Sequence, residues 1–186
     1  MTENEIFKEI DYTKNMLARD EYEKCAFVNC NFNNADLSSV IFRDCEFDNC
    51  DFSLAKMKGT ELNNIKFSNC KLLGVHFDDC NDFLLSVSFK NCLLKLSTFY
   101  KLKLKMTKFD NCNLQETDFS ETDLTGSVFT NCDLQKAMFD RTNLEKVDFR
   151  SAFSYSIDPE KNRIKKAKFS RMDIAGLLDK YDIEIE

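Results

Sequence analysis

From Thr107 to Phe149 the chain repeats in fives: TKFDN, CNLQE, TDFSE, TDLTG, SVFTN, CDLQK, AMFDR, TNLEK, VDF. The third place is always Phe or Leu, and the first is always Thr, Cys, Ser, Ala or Val. A period of five matches neither the 3.6 of an amphipathic helix nor the 2.0 of a half-buried strand. It points to one small unit stacked many times, each unit burying its face only against its neighbours.

These tandem units resemble the pentapeptide repeat family, strongly over residues 20–154 and weakly over 5–19 and 164–169. The resemblance implies an all-β fold, a right-handed quadrilateral β-helix with four fives to a coil. In it the large central residue (i) and the small one before it (i−2) point inward. The first register runs from Tyr22 through Phe27, Phe32 and Leu37 to Phe77. The next centre is taken as Leu84, seven residues on, which places a two-residue bulge within 80–84. Counted at twenty per coil with that allowance, one face reads Phe27, Phe47, Phe67, Phe89, Phe109, Phe129 and Phe149. The fourth face reads Tyr22, Phe42, Leu62, Leu84, Leu104, Leu124 and Leu144. With coils ~4.8 Å apart, about six and a half of them make a rod roughly 30 Å long.

Asn29, Asn49, Asn69, Asn91, Asn111 and Asn131 each follow a residue of the all-Phe face by two places and precede a cysteine. Corner residues with positive φ explain that column, because Asn tolerates the left-handed region. All nine cysteines fall at i−2, where a thiol acts as a small apolar filler. Single-file thiols suit neither zinc nor disulfides, and a reducing, cytoplasmic setting is expected. No cofactor or metal site is expected.

Residues 1–19 read as a degenerate N-terminal coil or cap, 20–154 as the repeat solenoid and 155–186 as a loop, a last partial coil and a helix. That helix would be capped by Ser170 or Asp173 and would carry Ile174, Leu177, Leu178 and Tyr181 as an apolar stripe. A self-complementary patch at a rod's end closes as a symmetric dimer, which makes these four the expected dimer interface. No apolar run is long enough to span a membrane, and the first residues lack a signal-peptide core.

Catalytic signals are sparse: one histidine, His76, at an outward place, and no phosphate loop or nucleophile motif. A filled, convex rod gives acid–base chemistry no cleft, and a non-enzymatic binding protein is expected. The net charge of −6 hides bands: residues 1–50 hold 11 acidic and 5 basic side chains, 51–108 hold 5 and 10, and 109–154 hold 9 and 4. Within the basic band Leu93, Leu96, Tyr100, Lys103 and Met106 form an outward Lys/Leu-rich patch, the basis of a scaffold reading. Direct nucleic-acid binding is disfavoured by the net charge.

Among pentapeptide repeat proteins the chain is similar to the Qnr-type and mycobacterial quinolone-resistance group. That resemblance implies a dimeric DNA mimic that occupies the DNA-binding saddle of gyrase or topoisomerase IV. Asp110, Asp118, Asp123, Asp133, Asp140 and Asp148 would then stand in for phosphates. A continuous acidic stripe along one face would mark such a mimic, whereas an apolar patch without one would mark a scaffold.

Overall fold

The computed structural model describes residues 1–184. Most fives fold alike, Phe77–Asp79 with its 3₁₀ turn being an exception, and the cause is local. Residue i is extended with its side chain inward, and the residue two places later turns the corner in the left-handed region. The six corner asparagines have φ between 51° and 56°. A backbone bond from residue i+3 to residue i closes the corner, as in Ala35 N–H to Phe32 C=O and Ser127 N–H to Leu124 C=O, both 2.9 Å. The asparagines are also laced along the rod: Asn49 Nδ2 donates to Asn29 Oδ1 at 2.7 Å and Asn111 Nδ2 to Asn91 Oδ1 at 2.9 Å.

Successive coils pair in parallel. One face carries seven strands, Ile6–Lys8, Ala26–Val28, Glu46–Asp48, Ile65–Ser68, Val87–Lys90, Lys108–Asp110 and Val128–Thr130. These set Phe7, Phe27, Phe47, Phe67, Phe89, Phe109 and Phe129 side by side. A second face begins with Thr2–Glu3, Glu21–Glu23, Ile41–Arg43 and Glu61–Asn63. Single bridges such as Asp51–Lys71 and Asp118–Met138 hold the other two. The architecture is the right-handed quadrilateral β-helix.

The interior is a close-packed aromatic and aliphatic stack. Phe109 lies between Phe89 (5.2 Å, 9° between planes) and Phe129 (4.7 Å, 8°) and meets Phe119 of the adjoining face edge-on at 5.8 Å and 83°. Offset stacking along a face and edge contact across the corner are the two favourable aromatic geometries.

The i−2 residues do more than fill space. Cys50 Sγ donates to Phe27 C=O at 3.3 Å and Cys132 Sγ to Phe109 C=O at 3.4 Å. Thr117 Oγ1 makes the same bond to Leu94 C=O at 2.9 Å, Thr122 Oγ1 to Phe99 C=O at 2.8 Å and Ser127 Oγ to Leu104 C=O at 2.7 Å. Each satisfies a carbonyl of the preceding coil, so Thr117, Thr122 and Ser127 stay fully buried without an unpaired hydroxyl. Asn162 does the same with Nδ2 to Phe139 C=O at 2.9 Å.

Residues 1–19 form a paired coil, with Phe7 stacked on Phe27 at 4.7 Å and Tyr12 on Phe32 at 4.6 Å. Leu84, expected inward, is instead 60% exposed and turns a corner at φ 61°. Asp82 holds the backbone turn position of that five, as the Leu85 N–H to Asp82 C=O bond shows, but its side chain stays exposed, and Leu85 packs partly against the core. The extra residues therefore fall between Asp82 and Val87 and not within 80–84: Ile65 pairs with Val87, 22 residues on. Counting centres placed Leu84 inward because a leucine fits the slot better than an aspartate. The corner requirement overrode that preference.

The C-terminal helix is also corrected. Residues 174–181 make two 3₁₀ turns, Ile174–Leu177 and Asp179–Tyr181, and Asp173 makes no side-chain cap. Gly176 weakens helix propensity there and lets the tail approach the rod: its C=O accepts Ile157 N–H at 2.9 Å, and a Cβ would lie 2.1 Å from Tyr155 O.

Phe109→Ala removes a ring held on three sides, with an expected cost of ~3–5 kcal/mol. Gln135→Ala on the outer surface is expected to cost under ~0.5 kcal/mol. Urea denaturation of the two variants checks this; equal effects would refute the inward assignment.

Candidate interaction surface

Because all four faces are closed inward, function falls to the outward places i−1, i+1 and i+2. His76, at i−1, has a 63% exposed side chain, with Nδ1 3.6 Å from Asp78 Oδ1. Burial raises the Asp78 carboxyl above the ordinary carboxylate range. Among the described residues no three or more His, Cys, Asp or Glu are placed to hold a metal ion, and no helix is long and apolar enough to cross a membrane.

The six phosphate-mimic candidates do not converge. Asp110 and Asp148 flank the Phe face, Asp133 the second face, Asp118 and Asp140 the third and Asp123 the fourth, as their neighbours Phe109, Phe149, Leu134, Phe119, Phe139 and Leu124 show. Four of them have a structural task. An i−1 aspartate accepts the N–H two residues on: Asp118 from Ser120 (2.8 Å), Asp123 from Thr125 (3.1 Å), Asp133 from Gln135 (3.0 Å) and Asp148 from Arg150 (3.1 Å). Asx bonds of this kind start the turn.

Several are also met by cations. Arg150 Nη2 lies 2.7 Å from Asp148 Oδ2, and its guanidinium holds that carboxyl below the ordinary range. Lys105 reaches Asp123 at 3.3 Å and Arg141 reaches Asp140 at 3.3 Å. Lysines of the basic band likewise pair with acids one coil away, Lys66 with Glu46 at 2.8 Å and Lys95 with Glu116 at 3.1 Å. Among the described residues the acids form no continuous stripe along a face.

The alternative patch is divided as well. Each five turns the chain a quarter of the way round, so Leu93 and Leu96 lie on the second face and its corner and Tyr100 on the third. Lys103 and Met106 lie on the fourth. Leu93, Leu96 and Met106 are exposed by 42%, 56% and 72%, and Tyr100 is half-buried with its hydroxyl donating to Glu121 at 3.3 Å. Sequence reasoning missed the residues that share the fourth face with Met106: Phe83 and Leu84, 70% and 60% exposed on the bulge. The signal was the odd spacing between Phe77 and Phe89, which marks a segment released from core packing. Met106 folds over Gly126, where a Cβ would sit 2.6 Å from its Sδ.

Of the expected dimer residues, Leu177 packs on the rod's own core and Leu178 is half-buried. Ile174 and Tyr181 are 44% and 49% exposed, and the Tyr181 hydroxyl donates to Glu160 at 3.0 Å. Lys180 joins Asp158 and Glu160 at 2.8 and 2.7 Å. The tail is thus tied to its own end coil.

The sequence matches the family described as pentapeptide repeat region over residues 21–99, 83–158 and 102–177. The chain belongs to the pentapeptide repeat family. No curated protein matches it. Among solved structures it is similar to full-length QnrB1, a plasmid-mediated fluoroquinolone resistance protein, at 16% identity, covering 97% of this chain and 99% of that one with a TM-score of 0.59. It is also similar to HetL of the cyanobacterium Nostoc sp. strain PCC 7120, involved in heterocyst differentiation regulation, at 16% identity over 89% and 87% of the two chains with a TM-score of 0.39. At 16% identity the likeness to QnrB1 concerns the fold.

Gly126→Ala forces a Cβ against Met106 at a φ of 72° and is expected to cost ~1–2 kcal/mol. Adding Met106→Ala should recover the steric part and leave the backbone part. Thermal melts of the two variants test whether Met106 lies where described; no recovery would place it elsewhere.

Proposed function

We propose that this pentapeptide repeat protein is non-enzymatic and acts by binding another protein along the side of the rod, through the fourth face of its middle coils. The observation that carries this reading is the exposed apolar group Phe83, Leu84 and Met106, on the face that also presents Lys103 and Lys105. Large apolar side chains left outside a filled core and grouped on one face mark a contact site, and Lys103 beside them makes no ion pair among the described residues, whereas Lys105 is held by Asp123 at 3.3 Å. The nine unpaired thiols suit a partner met in a reducing cytoplasm.

A second reading has one specific support, the full-length likeness to a fluoroquinolone resistance protein. In it the rod binds gyrase or topoisomerase IV as a dimeric DNA mimic, with Ile174 and Tyr181 as the part of the tail still open to a partner. The dispersed, locally bonded aspartates weigh against mimicry of a phosphate row, so this reading ranks below the first.

Gyrase supercoiling and fluoroquinolone inhibition, measured with and without the protein, separate the two. Under the first reading gyrase is indifferent, and Phe83→Asp with Met106→Asp lowers capture of the native partner at least about tenfold. Protection of gyrase that survives those changes but is lost on reversing Asp110, Asp118 and Asp140 would instead establish the second.

A further inference from the structure

The fourth face changes character along the rod. Its rungs run in register from Glu21–Glu23 through Ile41–Arg43 to Glu61–Asn63, and again from Lys103 through Asp123 and Asn143 to Arg163. The outward places and corners of 21–24, 41–44 and 61–64 carry Glu21, Glu23, Asp44 and Glu61 against Lys24 and Arg43. Those of 123–126, 143–146 and 163–166 carry Lys146, Arg163, Lys165 and Lys166 against Asp123 and Glu145. Phe83, Leu84 and Met106 lie exposed between the two. The face is acidic towards one end, apolar in the middle and basic by an equal excess towards the other.

A face ordered in this way is complementary to a copy of itself turned end over end. A two-fold axis along the strand direction, between rungs 81–83 and 103–105, has three further rungs on either side. It lays each column of outward side chains on the same column of the second copy in reverse order. Glu21 then meets Arg163, Glu23 meets Lys165, Arg43 meets Glu145 and Asp44 meets Lys146, each of them twice. At the centre Leu84 meets Met106, and Phe83 lies against the aliphatic stem of Lys105.

The ion pairs made within one copy fit this arrangement. Arg43 is held by Glu21, and Arg163 by Glu145 at 2.6 Å, so the two pairs would face each other with charges alternating round a square. Lys146 and Lys165 make no ion pair among the described residues. Asp44 accepts Asn64 Nδ2 at 2.6 Å and meets no cation among the described residues. Two meetings are of like charge. In one, Glu61 and Asp123 are each neutralised in their own copy, by Arg43 at 3.6 Å and Lys105 at 3.3 Å. In the other, Lys24 facing Lys166 is held by Glu23 at 2.8 Å.

We infer that two copies of this chain pair side by side and antiparallel through their fourth faces. The two-fold closes the assembly with the same patch on both sides, and the order of charge along the face fixes its register. This names a second copy as a partner of the face assigned to protein binding above, and it rests on that reading. It leaves the rod ends, with Ile174 and Tyr181, outside the contact.

Sedimentation velocity of the full chain over a concentration series tests it. Wild type should form a dimer that weakens as salt rises. Lys146→Glu and, separately, Asp44→Lys should each weaken it at least about tenfold, since each sets like charges face to face twice. The first breaks no internal ion pair among the described residues, and the second only the Asn64 hydrogen bond. The two changes combined in one chain should restore the dimer, because they exchange the two sides of one meeting. A monomeric wild type, reversals without effect or a combined variant that fails to recover would overturn the inference. So would association lost with Ile174→Asp but kept by Lys146→Glu, since that pattern belongs to end-to-end contact. Phe83→Asp with Met106→Asp separates this failure from that of the binding reading. If it lowers capture of another protein by a chain that is itself monomeric, only the pairing of copies is overturned; if it changes neither association nor capture, the binding reading fails as well.

Discussion

Everything in this molecule depends on a corner that returns the chain to its own edge every twenty residues. The left-handed residue at i+2 turns each side of the square, and four such turns bring residue i above its counterpart in the coil before. Once that holds, Phe109 finds Phe89 and Phe129 at 5.2 and 4.7 Å without further instruction. The aromatic stack is therefore a product of the corners as much as of hydrophobicity. Corners filled by Leu54, Leu96, Lys101 or Met106, with φ of 58–63°, show that the backbone demand outranks residue preference. Asn only lowers its cost.

The same hierarchy explains what was legible in the sequence. Period and central residues prescribe a square solenoid because they are repeated, and repetition averages out local exceptions. The Phe face and the asparagine corners were readable for that reason. Where the period broke, the reading relied on residue type alone and put Leu84 in a slot whose backbone position Asp82 holds. The tail fails similarly: a stripe of Ile174, Leu177, Leu178 and Tyr181 has helical spacing, but eight residues with a glycine in the middle cannot pay the nucleation cost of an α-helix. Packing against Tyr155 and Ile157 decides its shape instead.

The surface was harder to read than the core. Sequence neighbours such as Leu93 and Met106 diverge by faces, while Phe83 and Met106, far apart in the chain, share one. The aspartates illustrate a second obstacle. Side chains such as Asp133 and Asp148 look free on an outward place, but their oxygens are engaged by Gln135 and Arg150 N–H groups at 3.0 and 3.1 Å. A charge counted from sequence can be a turn-forming group first and a recognition group only with what remains.

The bulge has a consequence for how the rod comes apart. Stability in a stack is a sum of each coil's own terms and its coupling to the next, and on the fourth face that coupling loses a buried side chain where the exposed Asp82 stands between Leu62 and Leu104. The aromatic faces stay stacked across the same rung, Phe67 on Phe89 at 5.4 Å and Phe77 on Phe99 at 4.6 Å. The loss is thus confined to one side of the square, because Ile65–Val87, Lys71–Leu93 and His76–Thr98 keep the other three sides paired. Hydrogen exchange would then be fastest at amides such as that of Lys103, which among the described residues lacks the bond that Asp123 N–H makes to Leu102 C=O, a local opening on one side of an otherwise continuous stack.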